Sequence, residues 1–251
     1  MEKLTKRELK EQRKLEKLQY QKQLDSQGRK KTLLLWVGLP LVILLSVFGL
    51  IKLAGSSSSP SSDVPNITLQ TPVSANDLQT GSKDAKAVIV EYADFQCPGC
   101  GAEHPILKQI VSDYKDKVLF VYRFFPLTQI HQNAMLAAQA GYAANLQGKF
   151  WEMHDLLFEN QQKWATDPSA IDTFMAFAKK LDLDTDKFKN DMNADSTKKF
   201  IADEENAGTA NGVNSTPTIF FNNKMITSPT GALPTYDDLK KLADTALKSG
   251  K

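Results

Sequence analysis

Cysteine and histidine are scarce in this chain: two Cys and three His stand among 251 residues. No long basic stripe follows residue 54, where 19 Lys/Arg face 24 Asp/Glu, so nucleic acid is not indicated as a partner. No repeat is visible. Leu4, Leu9, Leu15, Leu18 and Leu24 do not hold a heptad, which argues against an N-terminal coiled coil. Long apolar runs are absent except for one, Thr32 to Ile51, twenty uncharged and mostly apolar residues.

That single run is long enough, as an α-helix, to cover a hydrocarbon core of about 30 Å. Trp36 suits an interface, and Pro40 is tolerable inside a membrane helix. Residues 1–31 carry eleven Lys/Arg against five Asp/Glu, whereas only Lys52 follows the run closely. The positive-inside rule therefore places the N-terminus in the cytoplasm and the rest outside. A cleaved signal peptide ending near Ala54-Gly55-Ser56 is the alternative, but its apolar core would exceed the usual length. The expected organisation is a basic tail over 1–31, a transmembrane helix over 32–53, a flexible Ser-rich linker over 54–72 and a folded domain over 73–251.

Within that domain, Ala87-Val88-Ile89-Val90-Glu91-Tyr92 reads as a buried strand and Val118–Tyr122 as another. Helical spacing runs from Gly99 to about Tyr114. From about 127 to 211 the pattern is helical throughout, with Asp184 or Thr185 as a cap and one helix expected to end before Gly208. Thr218–Phe221, the turn Asn222-Asn223 and Lys224–Ile226 read as a hairpin, and Tyr236–Lys248 as a closing amphipathic helix. Strand, helix, strand, helical block, hairpin and helix describe an α/β domain with a helical insertion.

Both cysteines lie in one short motif, Cys97-Pro98-Gly99-Cys100. A disulfide closing so small a ring restricts the unfolded chain little, so chemistry explains the pair better than architecture. A strand running into a helix puts Cys97 at the helix N-terminus, where free N–H groups and the helix dipole favour a thiolate. Cys97 is the expected nucleophile, and Cys100, one turn on and more buried, the resolving thiol. Glu91, on the strand aimed at the helix start, would carry the Cys100 proton if it points inward; an outward-facing carboxylate is the alternative. Gly101, not His, follows Cys100, which excludes covalent haem attachment. A metal site on Cys97, Cys100 and His104 would need a fourth ligand, and only His131 and His154, both in the helical block, remain as histidines; a surface-facing His104 is the plainer expectation. His131 and His154 are expected as polar or capping positions, and Phe150, Trp151 and Phe158 as helical core.

Four segments resemble the thioredoxin-fold, DsbA-like thiol-disulfide oxidoreductases, including their membrane-anchored BdbD-type members. They are Glu91–Cys100; Val121–Leu127 with His131–Met135; Gly148–Leu157; and Gly212–Thr218. The resemblance covers roughly residues 73–250. It implies a thioredoxin fold with an inserted helical subdomain, here preceded by a single transmembrane helix. It implies a cis Pro217 facing the cysteines, with Thr216 and Pro217 contacting sulfur and substrate, and a buried carboxylate at Glu91. It implies oxidation of reduced exported polypeptides without a bound cofactor, and reoxidation by a DsbB-like or vitamin K epoxide reductase-like quinone enzyme in the membrane. Gly99 departs from the His of well-known strong oxidants. A reductase or isomerase of the same fold and a non-enzymatic anchored module are the competing readings.

Overall fold

Strand β2 (Ala87–Ala93) follows from its β-branched run and lies at the middle of a five-stranded sheet, between β1 (Leu78–Gly81) and β3 (Val118–Phe124) on one side and β4 (Thr218–Phe221) and β5 (Lys224–Met225) on the other, in the order β1-β3-β2-β4-β5. A computed structural model of the chain describes residues 67–227 and 232–249, with Lys17 alone before them. The basic tail, the apolar run, most of the Ser-rich linker and the segment 228–231 lie outside the described residues. Among the described residues no helix is long and apolar enough to cross a membrane. The chain divides into two units, Met1–Ser61 and Ser62–Lys251, and all the elements named here belong to the second.

β2 pairs in parallel with β3 (Val118–Phe124) and antiparallel with β4 (Thr218–Phe221). β4 turns at Asn222 and Asn223, both with positive φ, into the short β5 (Lys224–Met225). β1 (Leu78–Gly81) adds antiparallel to the outer side of β3. It escaped the sequence reading because four residues with one buried apolar side chain carry no period. Chain packing also starts ahead of residue 73: Leu69 is buried, its N–H bonds to the Asn223 carbonyl, and Thr68 bridges to Lys224.

Helix α1 (Pro98–Tyr114) leaves the carboxyl end of β2, and α8 (Tyr236–Lys248), with a Thr235–Asp238 capping box, closes the chain. Between β3 and β4 come α2 (Ala134–Asn145), α3 (Phe150–Glu159), α4 (Gln161–Trp164), α5 (Ala170–Lys180), α6 (Thr185–Asn193, capped by Asp184) and α7 (Asp195–Ala210). The helical insertion is therefore present. α7 does not stop before Gly208. That glycine sits inside the helix because Phe125 and Tyr92 press against it: a Cβ there would lie 2.8 and 2.9 Å from their ring carbons. Pro168 immediately precedes Ser169, the N-cap of α5.

Three apolar clusters fill the domain. Ala87 and Ile89 pack with Leu107, Ile110, Leu239 and Ala243 of α1 and α8. Val90 and Tyr92 face the other way, toward Leu69, Phe125 and Val213. The largest cluster fills the helical insertion. The period-2 alternation of β2 thus puts Glu91 on the Ala87–Ile89 face, the side on which α1 lies.

Candidate active site

The segment 94–97 connects β2 to α1, and side chains around it hold its shape. Asp94 is buried; its carboxylate accepts the Gln96 N–H at 2.8 Å, the Leu127 N–H at 3.0 Å and contacts His131 Nδ1 at 2.6 Å. The Asp94 carbonyl accepts the Cys97 N–H. Gln96 Oε1 accepts the Asn133 N–H, and Gln161 Nε2 donates to the carbonyls of Phe95 (2.7 Å) and Cys97 (2.9 Å). The insertion therefore fixes the cysteine loop through Asn133 and Gln161. Asp94, Gln96, Asn133 and Gln161 were not singled out from the sequence. Only the density of amide and carboxylate side chains around a turn hinted at them.

Cys97 is the N-cap of α1, with extended backbone (φ −66°, ψ 124°) and no side-chain cap bond of its own. Its thiol lies 3.3 Å from the Thr216 carbonyl, to which it donates. The Thr216–Pro217 bond is cis. Gly99 lets Pro217 come close: a Cβ on Gly99 would meet Pro217 Cδ at 3.2 Å and Cys97 Sγ at 3.6 Å. Both cysteines are free thiols.

Their acidities are pulled apart. A hydrogen bond from the Cys100 thiol lowers the Cys97 pKa most; against the opposing effect of burial, the Thr216 side chain and the Cys100 and Gly99 N–H groups lower it further, to about 5. The Thr216 hydroxyl has no other hydrogen-bond partner, which leaves it available to an ionised Cys97 sulfur. Cys100 is fully buried, and burial, the bond it gives Cys97 and the nearby Glu91 charge push its pKa well up.

Glu91 is 2% exposed and points inward, with Oε1 unpaired. Burial first, then Glu103 and Cys97, raises its pKa well above the ordinary value. Glu103, on α1, is fully buried with both oxygens unpaired, and burial raises it to about 7. The sequence reading did not single out Glu103, whose neighbour His104 is expected there at the surface.

His104 is not on the surface. It is 7% exposed because α3 lies across that side of α1: its ring stacks on Phe158 (centroids 5.1 Å, planes at 24°) and meets His154 edge-on at 5.1 Å. Among the described residues, the metal-competent donor group that includes His104 contains His154 and Asp155, not the cysteines. Phe150 and Phe158 are buried core, while Trp151 is half-buried with Nε1 donating to the Gln79 carbonyl.

Comparison with known proteins places this geometry. A family model described as Thioredoxin matches residues 74–245. An Na(+)/H(+) antiporter NhaA 3 of Salinispora tropica is 38% identical over 159 residues, which are 63% of this chain and 24% of that protein. The chain thus spans about a quarter of the length of such antiporter relatives, and their name describes those proteins. A probable disulfide bond formation protein D of Bacillus cereus is 27% identical over 173 residues, 67% of this chain and 77% of that one. Among solved structures, oxidised BdbD from Bacillus subtilis superposes with a TM-score of 0.62 at 22% identity, covering 73% of this chain and all of that one. A thioredoxin-like oxidoreductase from Silicibacter pomeroyi gives 0.58 at 25% identity, covering 70% and 94%. The thioredoxin-like α/β fold is thereby shown.

Proposed function

This chain belongs to the thioredoxin family, and we propose that it is a membrane-anchored, extracytoplasmic thiol-disulfide oxidoreductase that oxidises cysteine pairs in exported polypeptides. One observation carries the reading: two thiols one turn apart with opposite acidities, Cys97 brought down to about 5 and Cys100 pushed up. Stabilising the thiolate stabilises the dithiol form and makes the disulfide the stronger oxidant.

In the reaction, a substrate thiolate attacks the Cys97 sulfur of the Cys97–Cys100 disulfide. The S–S bond breaks, and Cys100 departs with the electron pair and takes a proton, which the buried, readily protonated Glu91 supplies. A second substrate thiolate attacks the substrate sulfur of the mixed disulfide and Cys97 leaves as a thiolate. Two electrons have passed from substrate to enzyme. The Thr216–Pro217 segment, beside Cys97 Sγ, is where an extended substrate strand would pair. Return to the disulfide needs a two-electron acceptor, which we assign to a DsbB-like or vitamin K epoxide reductase-like quinone enzyme. The anchor over 32–53, the cytoplasmic tail over 1–31, the linker over 54–72 and the outer placement of 73–251 rest on the apolar run and the Lys/Arg asymmetry.

The test is transfer of the disulfide to a reduced, unfolded protein. Cys97→Ser should abolish it, and Cys100→Ala should accumulate mixed disulfides visible on non-reducing electrophoresis. Full transfer by Cys97→Ser excludes Cys97 as nucleophile. Equilibration with glutathione sets the direction: a potential near about −120 mV supports the oxidase, one near about −270 mV a reductase.

A further inference from the structure

Beside Glu91 lies a cavity of about 150 Å³, and its wall includes three side chains that disulfide exchange does not use: His104, His154 and Asp155. His104 comes from α1, four residues past Cys100; His154 and Asp155 are consecutive on α3. The two histidines are more than nine-tenths buried, and Nε2 of each has no hydrogen-bond partner. Leaving His104 Nε2 dry beside a carboxylate oxygen is costly unless something completes it.

We propose that His104, His154 and Asp155 form a binding site for one divalent first-row transition ion of the Zn2+ class. The donor spacing fits. The ligating atoms are His104 Nε2, His154 Nδ1 and Asp155 Oδ1: Asp155 Oδ1 lies 3.6 Å from His104 Nε2 and 3.3 Å from His154 Nδ1, a long hydrogen-bond contact that the ion would replace, and one donor atom from each residue falls within 4.8 Å of the others. Two metal–ligand bonds of about 2.0–2.1 Å at a tetrahedral angle hold their donors roughly 3.4 Å apart. The contact between His104 and Asp155 is too long for a hydrogen bond and right for a shared ion.

The donor set selects the ion. Two imidazoles and one carboxylate suit Zn2+, Co2+ or Ni2+; Ca2+ and Mg2+ need more oxygen, and Cu(I) prefers sulfur. Lys108 takes Asp155 Oδ2 at 2.7 Å and leaves Oδ1 turned to the histidines. The cavity has room for water as a fourth ligand. An ion here would tie α3, in the insertion, to α1, the helix that carries both cysteines.

The test uses the full chain with Cys97→Ser and Cys100→Ser, so that no thiolate competes for metal. Co2+ should bind at one equivalent and give the visible bands of nitrogen and oxygen coordination, without sulfur-to-metal charge transfer. Zn2+ should displace it in calorimetry. Asp155→Asn, at a site one-third exposed and therefore tolerant, and His104→Gln should each weaken binding by about tenfold or more, with circular dichroism unchanged. The proposal is overturned if the thiol-free chain binds neither ion, or if it binds them equally well in both variants. The redox reading survives either result.

Discussion

Acid should weaken the dithiol form selectively. Folded Cys97 ionises at about 5 instead of 9.0, chiefly through the hydrogen bond from Cys100 and against burial. The unfolded thiol keeps its ordinary acidity. A depressed thiol pKa contributes stability only where the folded sulfur is ionised. The contribution is complete above the unfolded value, shrinks as pH falls and is gone below about 5. At pH 7 the folded sulfur lies two units past its midpoint. At about 1.36 kcal/mol per unit this is about 3 kcal/mol of stabilisation, or about 60 mV of a two-electron potential. The disulfide form has no thiol to titrate, while Glu103, the surface carboxylates and the burial that chiefly raises Glu91 are common to both forms and largely cancel. Urea unfolding of dithiol and disulfide protein at pH 4 and pH 7 isolates the difference. The dithiol should gain about 2–3 kcal/mol on the disulfide between the two conditions. A difference that does not move with pH refutes the ionised Cys97 and the oxidising role built on it. Cys100→Ala removes the largest contributor, so the midpoint of iodoacetamide reactivity at Cys97 should rise.

Two further outcomes test the packing beneath the site. Glu103, fully buried and unpaired, has its pKa raised from 4.5 to about 7 by burial, so its folded form opposes ionisation. Its penalty is absent below the unfolded value and grows to about 3 kcal/mol above pH 7. Glu103→Gln should therefore stabilise the protein at pH 8 and do little at pH 4 in thermal melts; equal effects at both would show that Glu103 is not titrating. At Gly208, a Cβ would strike Phe125 and Tyr92. Gly208→Ala should cost about 1–3 kcal/mol despite the better helix propensity of Ala, and a variant more stable than the parent would show that the two rings yield freely.

Local pattern carries some of these features and not others. The β-branched run of β2, the helical spacing of α1 and the Asn-Asn turn are properties of neighbouring residues, and the observed elements follow them closely. β1 is short, half-exposed and held by β3 across the chain, so nothing in Leu78–Gly81 announced it. Gly208 looked like a helix stop because glycine usually is one; two aromatic rings from distant segments made it a packing necessity instead. His104 looked solvated because the helix that covers it, α3, comes from an insertion some fifty residues on.

The chain alone determined that two thiols sit at a strand-to-helix junction, since that depends only on C-x-x-C after an apolar run, and that a family resemblance extends from residue 73 onward. Tertiary structure decided which way Glu91 points, because a strand buried on both faces reveals no inside until α1 and α8 cover one of them. It also decided that Thr216 meets Cys97 and that His104 meets His154 and Asp155. Those neighbours lie 119 and about 50 residues apart in sequence. Closeness of that kind is set by how layers of helix and sheet stack, which no local period of side chains encodes.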